Sequence, residues 1–341
     1  MKKISVVILN WNGRQLLEEF LPSVVAFSRI EGAEVVVADN CSTDDSISFV
    51  RENYPAVRLI CLPENYGYAD GYNKSLAQVE AEYVVLLNSD VEVTEGWLEP
   101  IISFLDENPD VAGLQPKLLA QKNKHCFEYA GAAGGFIDKY GYPFCRGRIF
   151  DNLEEDGGQY DQPIDVFWAT GACLAVRLKD YFEAGGLDAS FFAHMEEIDL
   201  CWRLNARGKR LMCLPQSVVY HVGGATLSET SPHKTYLNFR NNLLMLYKNL
   251  PDNALGGVLR MRRFLDLLAA LQMLLLGKRA NAQAVLKAQK DFKKIKPDYK
   301  AARNQNLAKT IVHTIPTIYN KSLLWNFYAK GRKVFSSLRF R

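Results

Sequence analysis

No part of this 341-residue sequence reaches the roughly 20 consecutive apolar residues that a membrane-spanning helix needs. The first apolar run, Ile4 and Val6 to Leu9, stops at Asn10, too short for the core of a secretory leader. No Cys-x-x-Cys occurs and the seven cysteines are odd in number, so neither a zinc site nor a disulfide framework is expected. Free thiols in a reducing cytoplasm are expected instead. Neither G-x-x-x-x-G-K-[ST] nor G-x-G-x-x-G is present, which argues against ATPases, kinases and dinucleotide oxidoreductases. The five histidines form no His-x-x-x-His pair. Low complexity is missing too: 48% of residues are apolar and 23% charged, ordinary for a globular chain.

Charge is unevenly placed. Residues 1–250 hold 22 Lys and Arg against 34 Asp and Glu, whereas 251–341 hold 19 against 4. Segments of net −12 and +15 point to two tasks. The expected domains are therefore 1–250, divisible into 1–95 and 96–250, and a basic 251–341.

The first segment alternates strand and helix, the pattern of an α/β fold with a mostly parallel sheet covered by helices. Ile4–Leu9, Glu34–Ala38 and Val57–Leu62 read as strands. A Gly-rich loop, 64–73, precedes a helix from about Lys74. Tyr83-Val84-Val85-Leu86-Leu87 is a continuous apolar run, as in a strand buried on both faces. From about 95 the pattern changes. Trp97–Leu105 is a helix, Gly113–Leu118 a strand, and 121–163 a long loop or small β insertion. Val166–Val176 is strand-like, and Glu196–Leu204 is a helix stopped by Gly208. Arg210–Leu214 and Ser217–His221 read as two short strands, Tyr236–Tyr247 as a helix. The last 90 residues look almost wholly helical. Phe264–Leu276 is Leu-dense, fit for a core, a dimer contact or a membrane interface.

Ligands of parallel sheets lie beyond the strands' carboxyl ends, where Asp39 and Asp90 stand. Each reads either as a helix cap or as a ligand. Asp90 suits a hard divalent cation holding a diphosphate. Asp39 suits a pyrimidine NH or a ribose hydroxyl. Asn88 is neutral, better placed to hydrogen-bond a nucleotide than to replace a carboxylate. Asn65, Gly67 and Gly71 would let backbone approach a nucleotide. Glu196 and Glu197 open a helix, as favourable N-terminal charge or as a general base. Asp199 and Arg203 are spaced to pair. His221 ends a strand, structural or metal-bound. Arg240 sits in an apolar helix and calls for an anion, a carboxylate or a diphosphate.

These residues resemble family 2 glycosyltransferases, the inverting GT-A class, and in particular rhamnosyltransferase-like and galactofuranosyltransferase-like members. The similarity spans about residues 3–248. It runs through Ser5–Gly13, Val37–Asp44, the Asn65–Asn73 loop, and Leu86–Asp90 in the place of a D-x-D motif. It continues through Gly171-Ala172-Cys173, Gly185–Asp188 and the Glu196–Arg203 helix. Two positions depart: Asn88 replaces the first Asp of D-x-D, and Glu197 stands where the family usually has Asp. The resemblance implies a Rossmann-like GT-A sheet with a helical basic C-terminal extension. It implies nucleotide binding by Asn10, Asp39, Asn65, Gly67, Asn73, Asn88, Ser89 and Arg240. Trp168, Gly171, Ala172 and Asp199 would meet the acceptor. Asp90 and His221 would hold Mg²⁺ or Mn²⁺, and Glu197, with Glu196 as rival, would be the base. The donor would be dTDP-rhamnose or a UDP-sugar, and the acceptor a glycan or lipid-linked hydroxyl in cell-surface polysaccharide synthesis. A catalytically silent sugar-nucleotide-binding scaffold is the alternative. The +15 of 251–341 suits peripheral attachment at the inner face of the plasma membrane, or a homo-oligomer contact. Nucleic acid is not expected, since no recognition motif accompanies the charge.

Overall fold

The computed structural model describes residues 1–223 and 231–340. Strand and helix alternate first: β1 (Lys2–Asn10), α1 (Arg14–Phe27), β2 (Ala33–Asp39), α2 (Ser46–Asn53), β3 (Arg58–Cys61), α3 (Gly67–Leu76) and β4 (Ala81–Leu87). Then follow β5 (Val91–Val93), α4 (Glu99–Glu107), β6 (Val111–Ala120) and β7 (Asn123–Phe127). Short strands come next: β8 (Gly135–Asp138), β9 (Pro143–Cys145), β10 (Arg148–Ile149), β11 (Asn152–Leu153) and β12 (Ile164–Asp165). β13 (Cys173–Arg177), α5 (Leu178–Ala184), α6 (Glu196–Ala206), β14 (Arg210–His221) and α7 (Pro232–Asn249) complete the first 250 residues. Beyond them lie α8 (Asp252–Leu275), α9 (Arg279–Ile295), α10 (Lys300–Ala308) and β15 (Ile318–Tyr319).

The main sheet has the order β12-β14-β6-β13-β4-β1-β2-β3, with β5 on β14 and β7 on β6. β3-β2-β1-β4 pair in parallel, as do β14 and β6. β13 runs antiparallel between β4 and β6. β4 lies mid-sheet and its Tyr83–Leu87 are all buried, as a continuous apolar run requires. α1 turns Leu17, Phe20, Leu21 and Val24 into the core at helical spacing.

Several boundaries differ from the sequence reading. α3 begins at Gly67, so the expected loop is mostly helix. Its small residues let it lie close to β1, and a Cβ on Gly71 would come within 3.0 Å of Leu9. β13 starts only at Cys173, leaving 166–172 without regular strand. Arg210–His221 is one strand, not two. Its register on β6 shifts between Leu214 and Val218, where Pro215 cannot donate to the ladder.

The 121–163 stretch is a β insertion, a second sheet of order β11-β10-β9-β8-β15. Its last strand comes from the C-terminal tail, so residues after 308 are helical only at the short turns Trp325–Ala329 and Phe335–Ser337, not throughout as expected. Aromatic burial draws them back: Phe335 and Phe340 meet Phe136 at ring distances of 5.0 and 5.2 Å. The core reading of Phe264–Leu276 also fails, because most of that apolar run is exposed on α8.

Candidate active site

The carboxyl ends of β1, β2 and β4 bring Asn10, Asp39 and Asn88-Ser89-Asp90 to one edge of the sheet. Asn10 is fully buried and donates from Nδ2 to Asp39 Oδ2 at 3.0 Å. The Ser42 backbone N–H donates to Asp39 Oδ1 at 2.8 Å. Both oxygens of Asp39 are thereby oriented. A Cβ on Gly13 would stand 2.3 Å from Asn10 Oδ1 and 3.9 Å from Ser89 Oγ, so glycine is required for the turn to close over this edge.

Asn65 and Gly67 are pinned by a residue the motif reading passed over. Asn40 donates from Nδ2 to Asn65 Oδ1 and to the Gly67 carbonyl, each at 2.9 Å, and accepts from the Tyr66 N–H at 3.0 Å. Its place directly after Asp39 was the only signal. Asn73 departs from the expected nucleotide contact. Its Nδ2 donates to the Leu187 carbonyl at 2.8 Å, and its Oδ1 accepts from Tyr181 Oη at 2.6 Å and Leu187 N at 3.0 Å. The whole amide is spent anchoring the turn after α5.

Asp90 follows β4, and His221 ends β14, which β5 pairs at Val91↔His221. His221 Nε2 lies 3.1 Å from Asp90 Oδ1, with both residues buried. On the ring's other side Nδ1 lies 3.2 Å from Oε1 of buried Glu128. Burial opposes a charge on His221, but hydrogen bonds to Asp90 and Glu128 win and raise it to about 10. Glu128 falls in the stretch of weak periodicity, where no motif marked it. Among the described residues no three His, Cys, Asp or Glu side chains converge as a metal cage. Without metal the ring is thus an imidazolium paired with Asp90; it fits Mg²⁺ or Mn²⁺ beside that carboxylate only where the cation displaces its proton, the remaining ligands coming from substrate phosphates.

The other wall is the start of α6. Asn88 N donates to the Ala172 carbonyl at 3.0 Å, and Tyr68 Oη donates to the neighbouring Gly171 carbonyl at 2.8 Å. A Cβ on Gly171 would stand 3.8 Å from Glu197 Cβ. The strand end and the α6 carboxylates are thus linked through residues 171–172. Oε2 of Glu196 and of Glu197 is buried without a hydrogen-bond partner among the described residues. Burial lifts Glu197 to about 7, against backbone N–H groups at the helix start that favour its charge. Burial, then repulsion from Glu197, lifts Glu196 well above the usual carboxyl range. The pair therefore offers a poised base beside a neutral neighbour.

Phe192, His194 and Met195, just before α6, have φ of 66°, 70° and 74°. Such backbone persists only where its surroundings hold it. Arg240 and Asn241 supply the hold. Arg240 Nη2 donates to the carbonyls of Ser190 and Phe191, and Asn241 Nδ2 lies within 2.9 Å of those of Phe191, Ala193 and His194. Arg240 is half-buried, and carbonyl oxygens replace the anion its position called for.

Two expected acceptor residues are placed otherwise. Trp168 is 3% exposed, donates from Nε1 to the Phe136 carbonyl at 2.9 Å and packs over Gly135. Asp199 is fully buried between Arg203 at 3.0 Å and Lys248 at 2.8 Å, with Asn249 at 2.8 Å on its other oxygen. No free oxygen faces an acceptor. Asp199→Asn is accordingly expected to lower stability by about 3–5 kcal/mol, since buried Arg203 loses its counter-charge and Lys248 keeps only Asp188, at 2.6 Å. Urea unfolding would register the loss, and acceptor KM of the folded protein is expected to hold.

Residues 5–138 match the family model described as "Glycosyl transferase family 2". The chain is 27% identical over 240 residues to the O-antigen biosynthesis protein RfbC of Myxococcus xanthus, covering 69% of this chain and 18% of that protein. It is 26% identical over 234 residues to an N-acetylglucosaminyl-diphospho-decaprenol L-rhamnosyltransferase of Mycobacterium tuberculosis, covering 64% and 75%. Among solved structures, GalNAc-T7 with UDP, GalNAc and Mn²⁺ aligns at a TM-score of 0.59 and 16% identity, covering 74% of this chain and 49% of that one. The chain thus spans under a fifth of the first relative and about half of the GalNAc-T7 chain. At that identity the structural likeness carries the fold alone. Residues 5–138 are thus similar to glycosyl transferase family 2, and the sheet they belong to has the GT-A fold.

Proposed function

We propose that the protein transfers a sugar, with inversion, from a nucleotide-diphosphate donor to a hydroxyl of a glycan or lipid-linked acceptor in polysaccharide synthesis. The supporting observation is one edge of the sheet that holds Asp39, the Asp90–His221 pair and, through residues 171–172, the base-like Glu197. Asp39, oriented by Asn10 and Ser42, accepts hydrogen bonds from the nucleoside. Gly67 and the Asn65 turn border the same edge, held by Asn40. Asp90, with His221 in its neutral form, would hold Mg²⁺ or Mn²⁺, which when bound would neutralise charge on the leaving diphosphate. Glu197 takes the proton from the acceptor hydroxyl as that oxygen attacks the anomeric carbon, and the nucleoside diphosphate leaves from the opposite face. Glu196, neutral beside it, leaves that role to Glu197.

The mycobacterial relative's name favours a rhamnosyl donor and a polyprenyl-diphosphate sugar as first substrates, so dTDP-rhamnose is tried first and UDP-sugars next. The test is release of free nucleoside diphosphate from a panel of nucleotide sugars with Mn²⁺, with and without acceptor. Acceptor-dependent release from one donor is the expected result. Binding of donors with no release under any condition would leave a silent scaffold.

Glu128 orients His221 from behind. Glu128→Gln is expected to weaken Mn²⁺ binding by about 10–100-fold, the usual effect of losing a carboxylate behind a metal-bound imidazole. The Mn²⁺ concentration for half-maximal release measures it.

A further inference from the structure

α8 is built inside out. Its inward face carries charge: Arg262 and Asp266 are 2% and 0% exposed and stand 3.2 Å apart. Gln289 donates to Asp266 at 2.5 Å, and Arg262 donates to the Tyr140 carbonyl at 3.2 Å. The outward face is apolar. Phe264, Leu267, Leu268, Leu271, Leu274 and Leu275 recur at helical spacing and are 46–80% exposed. They form a stripe about 18 Å long at the ~1.5 Å rise of a helix. A contiguous apolar stripe of this kind marks a contact with something outside the fold.

The charges at its ends say what that is. Arg260 and Arg263 lie at one end of the stripe, Lys278 and Arg279 at the other, all exposed. Between residues 253 and 290 the sole acidic side chain is Asp266, and it is buried. A second copy packed by a two-fold axis on this stripe would set cations against cations. RNA would meet the cations but leave the leucines in water. A bilayer with anionic headgroups covers both, acyl chains against the leucines and phosphates against the cations. Among the described residues no helix is long and apolar enough to cross a membrane, so this one would lie along its surface.

We propose that α8 seats the protein on an anionic lipid surface, leucine face down. The inference stands apart from the proposed reaction, because vesicle binding is read without donor or acceptor. Full-length protein is floated with phosphatidylcholine vesicles, with and without phosphatidylglycerol. Wild type is expected to rise with the anionic vesicles and stay behind with the neutral ones. Two variants follow, L267Q/L271Q/L274Q and R260E/R263E/K278E. Each is expected to lose at least about a hundredfold in partitioning while keeping its thermal transition and its donor turnover in solution. Unchanged flotation of either variant would overturn the proposal. So would a wild type that ignores all vesicles, whether it is a dimer that the leucine variant dissolves or a binder of RNA.

Discussion

Glu197→Gln is expected to lower kcat by about 10²–10⁴-fold and, at the same time, to make the fold more stable at neutral pH. The first effect follows from geometry. Glu197 is the α6 carboxylate that stands beside Gly171, whose neighbour Ala172 accepts from the strand end at Asn88. Gln keeps the shape and cannot take a proton. The second follows from linkage. Burial raises Glu197 from an ordinary 4.5 to about 7 in the folded chain. Between those values the unfolded chain has released a proton that the folded chain retains, so stability declines as pH rises across that window. Gln escapes the decline. The variant's advantage should open from about pH 5 and level off above about pH 7, read by urea unfolding at several pH values. Wild-type turnover should rise through the same region, because only the ionised base works. Near-normal turnover of Glu197→Gln would move the base to Glu196, and Glu196→Gln would then be the dead variant.

Asp90→Ala should reduce nucleoside diphosphate release on the order of a thousandfold, with the protein still folded. Asp90 is the one carboxylate of the strand-end motif, since Asn88 cannot share a cation as Asp would. Its loss leaves His221 beside Glu128 at 3.2 Å, so the imidazole keeps a buried partner and the core is spared. A chelator should silence wild type, and Mn²⁺ should restore it. The variant's residual rate should respond to neither. A variant that kept full metal-dependent turnover would show that the cation is held elsewhere.

The sheet was readable because its strands are continuous apolar runs, and Tyr83–Leu87 has no other use. Strand ends were readable too, because polar residues such as Asp39 and Asp90 interrupt those runs abruptly. What sequence could not show was which polar groups face each other. Asn73 and Asn65 stand in one motif, yet one secures a turn 114 residues away and the other is pinned by Asn40. Asp199 lies two residues from Glu197, but one turns into a knot of cations and the other lies beside Gly171. Glu128 was invisible because its partner, His221, is far along the chain and reaches it only through the β14–β6 pairing. Helical periodicity found α8, but period alone does not say which face a helix turns inward.

The pairing of β15 with β8 has a consequence for how the chain is made. Leu323 N donates to Asp138 Oδ2 at 2.8 Å across 185 residues of sequence. At ~5–20 residues per second, roughly 10–40 s pass between synthesis of the two. Through that interval the edge of β8 waits open, with Phe136 and Phe144 uncovered by the tail aromatics. A strand edge and bare aromatic rings invite pairing with other nascent chains. Yield from cells should therefore fall when synthesis stalls after residue 250, although every candidate site residue has by then been made, and rise when chaperones that shield such edges are abundant.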